Sequence, residues 1–193
     1  SDIGYARVYS GADGSVLFSK SDGGVGARFG TAVSGVGDIN GDGTPDFAVG
    51  APDDSSLARY NGSVHVYSGA TGGILYHFRG VRDDTLGYDI AGIGDVNGDG
   101  RDDFIAGGPS HVNQWQNTSG AVWVYSGMDG SVLQEIEGMY GNSFYGATVG
   151  AAGDVNGDGT PDFIVGAQSA NIRGAAVVYS GADWSRLHEF VGS

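Results

Sequence analysis

Apolar residues in this chain come in short runs cut off by glycine, and no stretch carries the 3.6-residue period of a helix. Residues 46–52 (DFAVGAP), 103–109 (DFIAGGP) and 162–168 (DFIVGAQ) read as apolar strands. Each is preceded by a glycine-punctuated run, at 29–38, 86–95 and 145–154. Each is followed by a segment in which side chains alternate, GSVHVYSG at 62–69, GAVWVYSG at 120–127 and GAAVVYSG at 174–181. A last short run closes every set: GILYHF (73–78), SVLQEI (131–136) and SRLHEF (185–190). The pattern predicts an all-β chain built from units of four short strands.

The units are copies of one another. The phrase GDxNGDGxxDF begins at Gly37, Gly94 and Gly153, and VYSG begins at Val8, Val66, Val124 and Val178. Repeated four-stranded units of this size point to the blades of a β-propeller. The expected division is a half blade at 1–24, holding strands three and four only, then blades at 25–81, 82–140 and 141–193. Three and a half blades leave open strand edges, which invite pairing. The expectation is therefore a fragment of a longer propeller or a chain that assembles with others into a ring.

Composition narrows the function. The net charge of −14 argues against nucleic acid as a partner and against an anionic membrane surface. The 38 glycines follow no collagen period and suit turn-dense β structure. There is no cysteine and no apolar run near the roughly 20 residues of a membrane-spanning helix. The opening SDIGYARVYS lacks the shape of a signal peptide, so any targeting segment lies outside this stretch.

Much of the acidity sits in the repeated phrase, where like charges crowd together and need an opposing charge. Ca²⁺ takes six to eight hard oxygen ligands, and alternate Asp, Asn and Asp side chains, a seventh-position carbonyl and a ninth-position Asp supply most of them. Three calcium sites are expected. The first comprises Asp38, Asn40, Asp42, the Thr44 carbonyl and Asp46; the second Asp95, Asn97, Asp99, the Arg101 carbonyl and Asp103; the third Asp154, Asn156, Asp158, the Thr160 carbonyl and Asp162. An EF-hand would need a glutamate at position twelve, where this chain has Val49, Ala106 and Val165. The ion is expected to be structural, a clasp between the strands flanking the loop. The competing reading is a set of Asx-rich turns with no ion.

The combination of Phe29-Gly30 with Gly50-Ala51-Pro52, Leu86-Gly87 with Gly107-Gly108-Pro109 and Tyr145-Gly146 with Gly166-Ala167-Gln168, around the acidic loops, resembles the FG-GAP repeat of integrin α-subunit propellers and their bacterial relatives. The departures are the Leu in the second FG and the Gln in the third GAP. The resemblance implies a roughly seven-bladed propeller with calcium on the loops between strands one and two. It also implies partner binding on the opposite face, formed by the loops between strands two and three and between blades.

Those loops vary. Residues 53–62 and 110–120 are long, and Tyr60, His111 and Trp115 could form a ligand-facing aromatic patch. Arg79, Arg82, Asp83 and Asp84 read as solvated charge, and the four histidines show no ligand spacing. Tyr67, Trp123, Tyr125 and Tyr179 in the third strands are expected to pack between blades. Asn61-Gly62-Ser63 and Asn117-Thr118-Ser119 match the glycosylation sequon, which matters only in a eukaryotic secretory host. No nucleophile, zinc-protease or phosphate-loop motif is present, so catalysis is not expected. The reading is an exported, calcium-binding propeller segment for adhesion or protein recognition, with a carbohydrate-binding accessory module or a self-assembling array as alternatives.

Overall fold

The computed structural model describes residues 4–21, 24–113, 115, 117–139, 141–170 and 173–193. Among these described residues, fourteen strands form four antiparallel sheets. A two-stranded sheet, β1 (Ala6–Tyr9) and β2 (Val16–Lys20), precedes three four-stranded ones. The first of these holds β3 (Val33–Gly37), β4 (Asp46–Ala51), β5 (Ser63–Tyr67) and β6 (Ile74–Arg79). The second holds β7 (Asp89–Gly94), β8 (Asp103–Gly108), β9 (Ala121–Tyr125) and β10 (Val132–Glu137). The third holds β11 (Tyr145–Gly153), β12 (Asp162–Ala167), β13 (Ala175–Tyr179) and β14 (Arg186–Val191).

Strand order follows chain order in every sheet, so each unit is an up-and-down meander. The acidic loop and the VYSG turn therefore share one end of a sheet. The loop between strands two and three and the connection to the next sheet share the other. The first strands β3, β7 and β11 lie side by side, and the Val149 amide donates to Asp89 Oδ2 at 2.9 Å from one sheet to the next.

The core lies between sheets, which explains why the central strands β5 and β9 are buried at every position. Aromatic rings carry the packing across these interfaces. Phe78 of β6 meets Tyr125 of β9 with centroids 4.3 Å apart, and Tyr125 stacks on Phe104 at 5.2 Å. At the preceding interface, Phe18 stacks on Phe47 at 6.0 Å, and Phe47 on Tyr67 at 5.4 Å. Tyr145 and Tyr179 share a buried hydroxyl–hydroxyl hydrogen bond of 2.9 Å. Tyr76 of β6 donates to the Gly127 and Met128 carbonyls of the next sheet, both at 3.0 Å.

The glycines of FG and GAP have a shared physical reason. The Gly30 amide donates to the Gly50 carbonyl at 2.9 Å, and the Gly87 amide to the Gly107 carbonyl at 3.0 Å, closing each sheet's first turn. At the same points the next sheet presses in: a Cβ on Gly50 would collide with the Gly87 carbonyl oxygen, and one on Gly107 with that of Gly146. Neither Gly50 nor Gly107 has a positive φ, so backbone clearance between sheets selects glycine here.

Gly50→Ala and Gly107→Ala should each destabilise the chain by about 1–3 kcal/mol, the usual cost of overpacking. Gly35→Ala, where an added Cβ meets nothing within 4 Å, should be neutral or slightly stabilising. Urea denaturation midpoints check the contrast; equal midpoints for Gly50→Ala and Gly35→Ala would refute close blade packing.

Candidate metal loops and the opposite face

The three acidic loops share one internal geometry. In the first, Asp38 Oδ1 accepts the Gly41 and Asp42 amides at 2.7 and 3.1 Å, and its Oδ2 accepts the Gly43 amide at 2.9 Å. Asn40 Oδ1 accepts the Asp42 amide at 2.8 Å, and Asp42 Oδ1 the Thr44 amide at 2.9 Å. Asp95, Asn97 and Asp99 reproduce this pattern, as do Asp154, Asn156 and Asp158. The glycines at 41, 43, 98, 100, 157 and 159 all have positive φ, which lets the chain curl its amides toward the first Asp.

The ninth-position aspartate works differently. Asp46, Asp103 and Asp162 are almost fully buried. One oxygen of each accepts the amide at the loop's second residue, Ile39 at 3.1 Å, Val96 at 2.9 Å and Val155 at 2.8 Å. The other accepts the amide of the VYSG glycine, Gly69 at 2.9 Å, Gly127 at 3.0 Å and Gly181 at 3.1 Å. The VYSG phrase, readable in sequence only as a strand, thus ends as the far half of the acidic loop. Ser68 Oγ and Ser126 Oγ complete it by donating to Asp42 Oδ2 and Asp99 Oδ2 at 3.4 and 3.2 Å. The only available signal for this role was the strict co-repetition of the two phrases.

Neighbouring loops also touch. The Asp38 amide donates to Asp102 Oδ2 of the next loop at 3.0 Å, and Pro161 of the third loop packs against Gly94 of the second.

The donor set suits a hard cation. It consists of oxygen alone, and among the described residues none of the ten loop aspartates forms an ion pair with a Lys, Arg or His, although the Arg101 guanidinium lies against Gly41 of the first loop. The carboxylates of a loop are spread over backbone donors; among the described residues, His, Asp and Glu ligand atoms gather within 4.8 Å only at His111, Glu135 and Glu137. Burial pushes the Asp103 carboxyl up to about 6 despite two amide donors, and burial also raises Asp46. The Asn40 amide lowers Asp42, and the Thr160 amide lowers Asp158.

On the opposite face, Arg59, Tyr60, Asp83, Thr85, Ser110, Val112 and Thr118 line a shallow cavity of about 310 Å³. Three of these residues hold positive φ without being glycine: Tyr60 at 47°, Asp83 at 66° and Thr85 at 55°. Such conformations cost about 1–3 kcal/mol each and concentrate at binding sites. Arg59 Nε donates to Asp83 Oδ1 at 3.0 Å, tying the first long loop to the inter-sheet connection. Tyr60 is half exposed at the cavity and Trp115 stands 68% exposed on its loop. Its neighbours Gln114 and Gln116 lie outside the described residues, as do Asn171 and Ile172 of the third such loop.

His111 is placed apart from these two aromatics. It is buried beneath its loop, its ring edge-on to Trp123 at 5.5 Å and its Nδ1 2.9 Å from Asp84 Oδ1. Asp84, expected among solvated charges, is also buried and accepts the Val81 amide at 2.7 Å. Asn61 of the first sequon is fully buried, with its Nδ2 donating to the Gly62 carbonyl at 2.9 Å, so the folded chain offers no glycosylation there.

With this geometry in view, the comparisons with known proteins fall into place. The FG-GAP repeat model matches residues 29–67, and an FG-GAP-like repeat model matches residues 95–165. Integrin alpha-4 of Xenopus laevis is 31% identical over 84% of this chain, and integrin alpha-5 of the same frog 30% identical over 94%. The chain spans only 16% and 19% of those two proteins. Among solved structures, a rhamnogalacturonan lyase from Bacillus licheniformis aligns with 81% of this chain and 33% of its own, at a TM-score of 0.54 and 16% identity. The rhamnogalacturonan lyase YesW aligns with the same shares at a TM-score of 0.53 and 17% identity, a likeness of fold. These are β-propeller blades. The chain belongs to the FG-GAP repeat, integrin-like proteins.

The raised Asp103 carboxyl sets a pH dependence. Its folded-state pKa of about 6 exceeds the ordinary carboxylate value, so its contribution to stability is complete below about pH 4 and is lost as pH rises through about 6. In chelator, urea midpoints should carry a downward slope over that window. Asp103→Asn, which cannot titrate, should carry a shallower slope, the raised Asp46 and His111 contributing the rest; an identical slope in the variant would contradict the assignment.

Proposed function

We propose that this chain is a segment of an exported FG-GAP β-propeller whose acidic loops hold structural calcium and whose opposite face recognises a protein partner. The blades are taken as 25–81, 82–140 and 141–193 with a half blade at 1–24, within a ring of about seven blades or an oligomeric assembly. The observation that carries the reading is the threefold repetition of an all-oxygen loop whose aspartates, among the described residues, form no ion pair with a cationic side chain. Asp38, Asn40, Asp42 and Asp46 would hold the ion with the Thr44 carbonyl, and the corresponding residues of the other two loops would do likewise. Three divalent ions, adding +6, would bring the formal charge from −14 to −8. When bound, calcium supplies charge neutralisation and no reaction chemistry. Weak sites of this kind fill at the millimolar calcium found outside cells, which agrees with an exported protein.

Recognition is assigned to the face carrying Tyr60 and Trp115, away from the acidic loops. Its support is the strained, cross-braced cavity between two blades together with an exposed tryptophan. The integrin relatives favour adhesion or recognition over catalysis. A carbohydrate-binding accessory role is the second reading, favoured by the exposed indole of Trp115, a surface on which sugars stack.

A site occupied at 100 times its dissociation constant adds about 2.7 kcal/mol to the folded state. Calcium should therefore raise the melting temperature, and Asp42→Ala should reduce both that rise and the stoichiometry of calcium bound. Scanning calorimetry with calcium and with chelator checks this; a variant that keeps the full calcium-dependent rise would defeat the assignment of the first loop. A glycan array probed with the wild-type chain and Trp115→Ala separates the second reading, which requires binding that the variant loses.

A further inference from the structure

Beneath the recognition face, blade two contains a cluster that the repeat does not require. His111 Nε2 points at Glu135 Oε1 and Glu137 Oε1, each 3.9 Å away, and the three ligand atoms lie within 4.8 Å of one another. His111 is only 9% exposed, and its Nε2 faces the two glutamates at ion-pair rather than hydrogen-bond distance. The other ring nitrogen is held at 2.9 Å by Asp84, a carboxylate 3% exposed and anchored in its own loop by the Val81 amide. We propose that His111, Glu135 and Glu137 form a zinc site, distinct from the acidic loops, with Asp84 orienting the imidazole.

The chemistry matches the geometry. A carboxylate on Nδ1 fixes the tautomer that leaves Nε2 free as a metal ligand and raises its basicity, an arrangement that recurs behind metal-bound histidines. Tetrahedral zinc with bonds of about 2.0–2.2 Å separates its ligand atoms by about 3.4 Å, so small rotations of two half-exposed glutamates bring 3.9 Å to that value. One nitrogen with two carboxylates, leaving a fourth position for water, suits a borderline ion such as zinc, whereas calcium prefers the oxygen-only loops. Three carboxylates surround one imidazole, and the hydrogen bond to Asp84 holds its pKa above the ordinary value, so zinc would displace a proton from Nε2.

The surrounding sequence is specific to this blade. Glu135 faces Trp123 and Glu137 faces Ala121 across the sheet; the matching pairs in blade one are His77 with His65 and Arg79 with Ser63. Trp123 sets the plane of the His111 ring, and an added Cβ on Gly108 would crowd the Trp123 ring at 2.7 Å, which explains why the second GAP reads Gly-Gly-Pro. Zinc here would lock the loop carrying Trp115 to β10 and, through Asp84, to the connection from blade one. It would thus stiffen two walls of the cavity described above.

The test is isothermal titration of the whole chain with zinc chloride in excess calcium, which keeps the acidic loops occupied. One zinc equivalent is expected. It should vanish in His111→Gln and in the Glu135→Gln/Glu137→Gln double variant. In Asp84→Asn it should weaken by about 10–100-fold. Asp42→Asn should leave it unchanged, which separates this site from the calcium loops. The glutamates sit on the outer face of β10, so their variants keep the test open if His111→Gln fails to fold. Absence of zinc uptake by the wild type, or uptake that survives the double glutamate variant, would overturn the proposal.

Discussion

Three buried carboxylates hold this architecture together. Asp46, Asp103 and Asp162 each bridge the start of an acidic loop to the turn after the third strand, accepting backbone amides that lie outside the named strands. A buried amide left without its acceptor costs about 1–3 kcal/mol, so each bridge stabilises two loops at once. The bridge also fixes where Ser68 and Ser126 stand, and hence the conformation of the fifth-position aspartates. Loop conformation and sheet closure are thereby parts of one arrangement.

The loops are not independent of each other. Asp102 accepts the amide of Asp38, and Pro161 leans on Gly94, so the acidic end of one blade rests on that of the next. At the other end, the close passage of Gly50 by Gly87 and of Gly107 by Gly146 sets the spacing of the sheets. Aromatic stacking fills what lies between. The cavity lined by Arg59, Tyr60 and Thr118 spans one of these interfaces between blades.

The blade pattern was legible because every strand either alternates or runs apolar and every unit repeats. The curvature of the acidic loops was equally plain, since their glycines and Asx turns are local to nine residues, whereas the closing Gly69 and Gly127 amides come from the VYSG turn. What sequence could not supply was contact between distant segments. Nothing near Asp84 announces that it is buried against His111, 27 residues on, or that Glu135 and Glu137 rise from an outer strand to meet the same ring. His111 read as a surface aromatic because its loop is polar, yet that loop folds its histidine inward and leaves Trp115 outside. The burial of Asn61 was equally hidden, because a sequon is a local signal and burial is a tertiary one.

Calcium titration of the chelator-stripped chain, with the melting transition followed at each addition, tests whether a divalent cation balances the loop aspartates. Three equivalents should bind, with a transition that climbs as they fill. No bound calcium, with transitions that superimpose in calcium and in chelator, would mean that backbone amides alone stabilise these carboxylates.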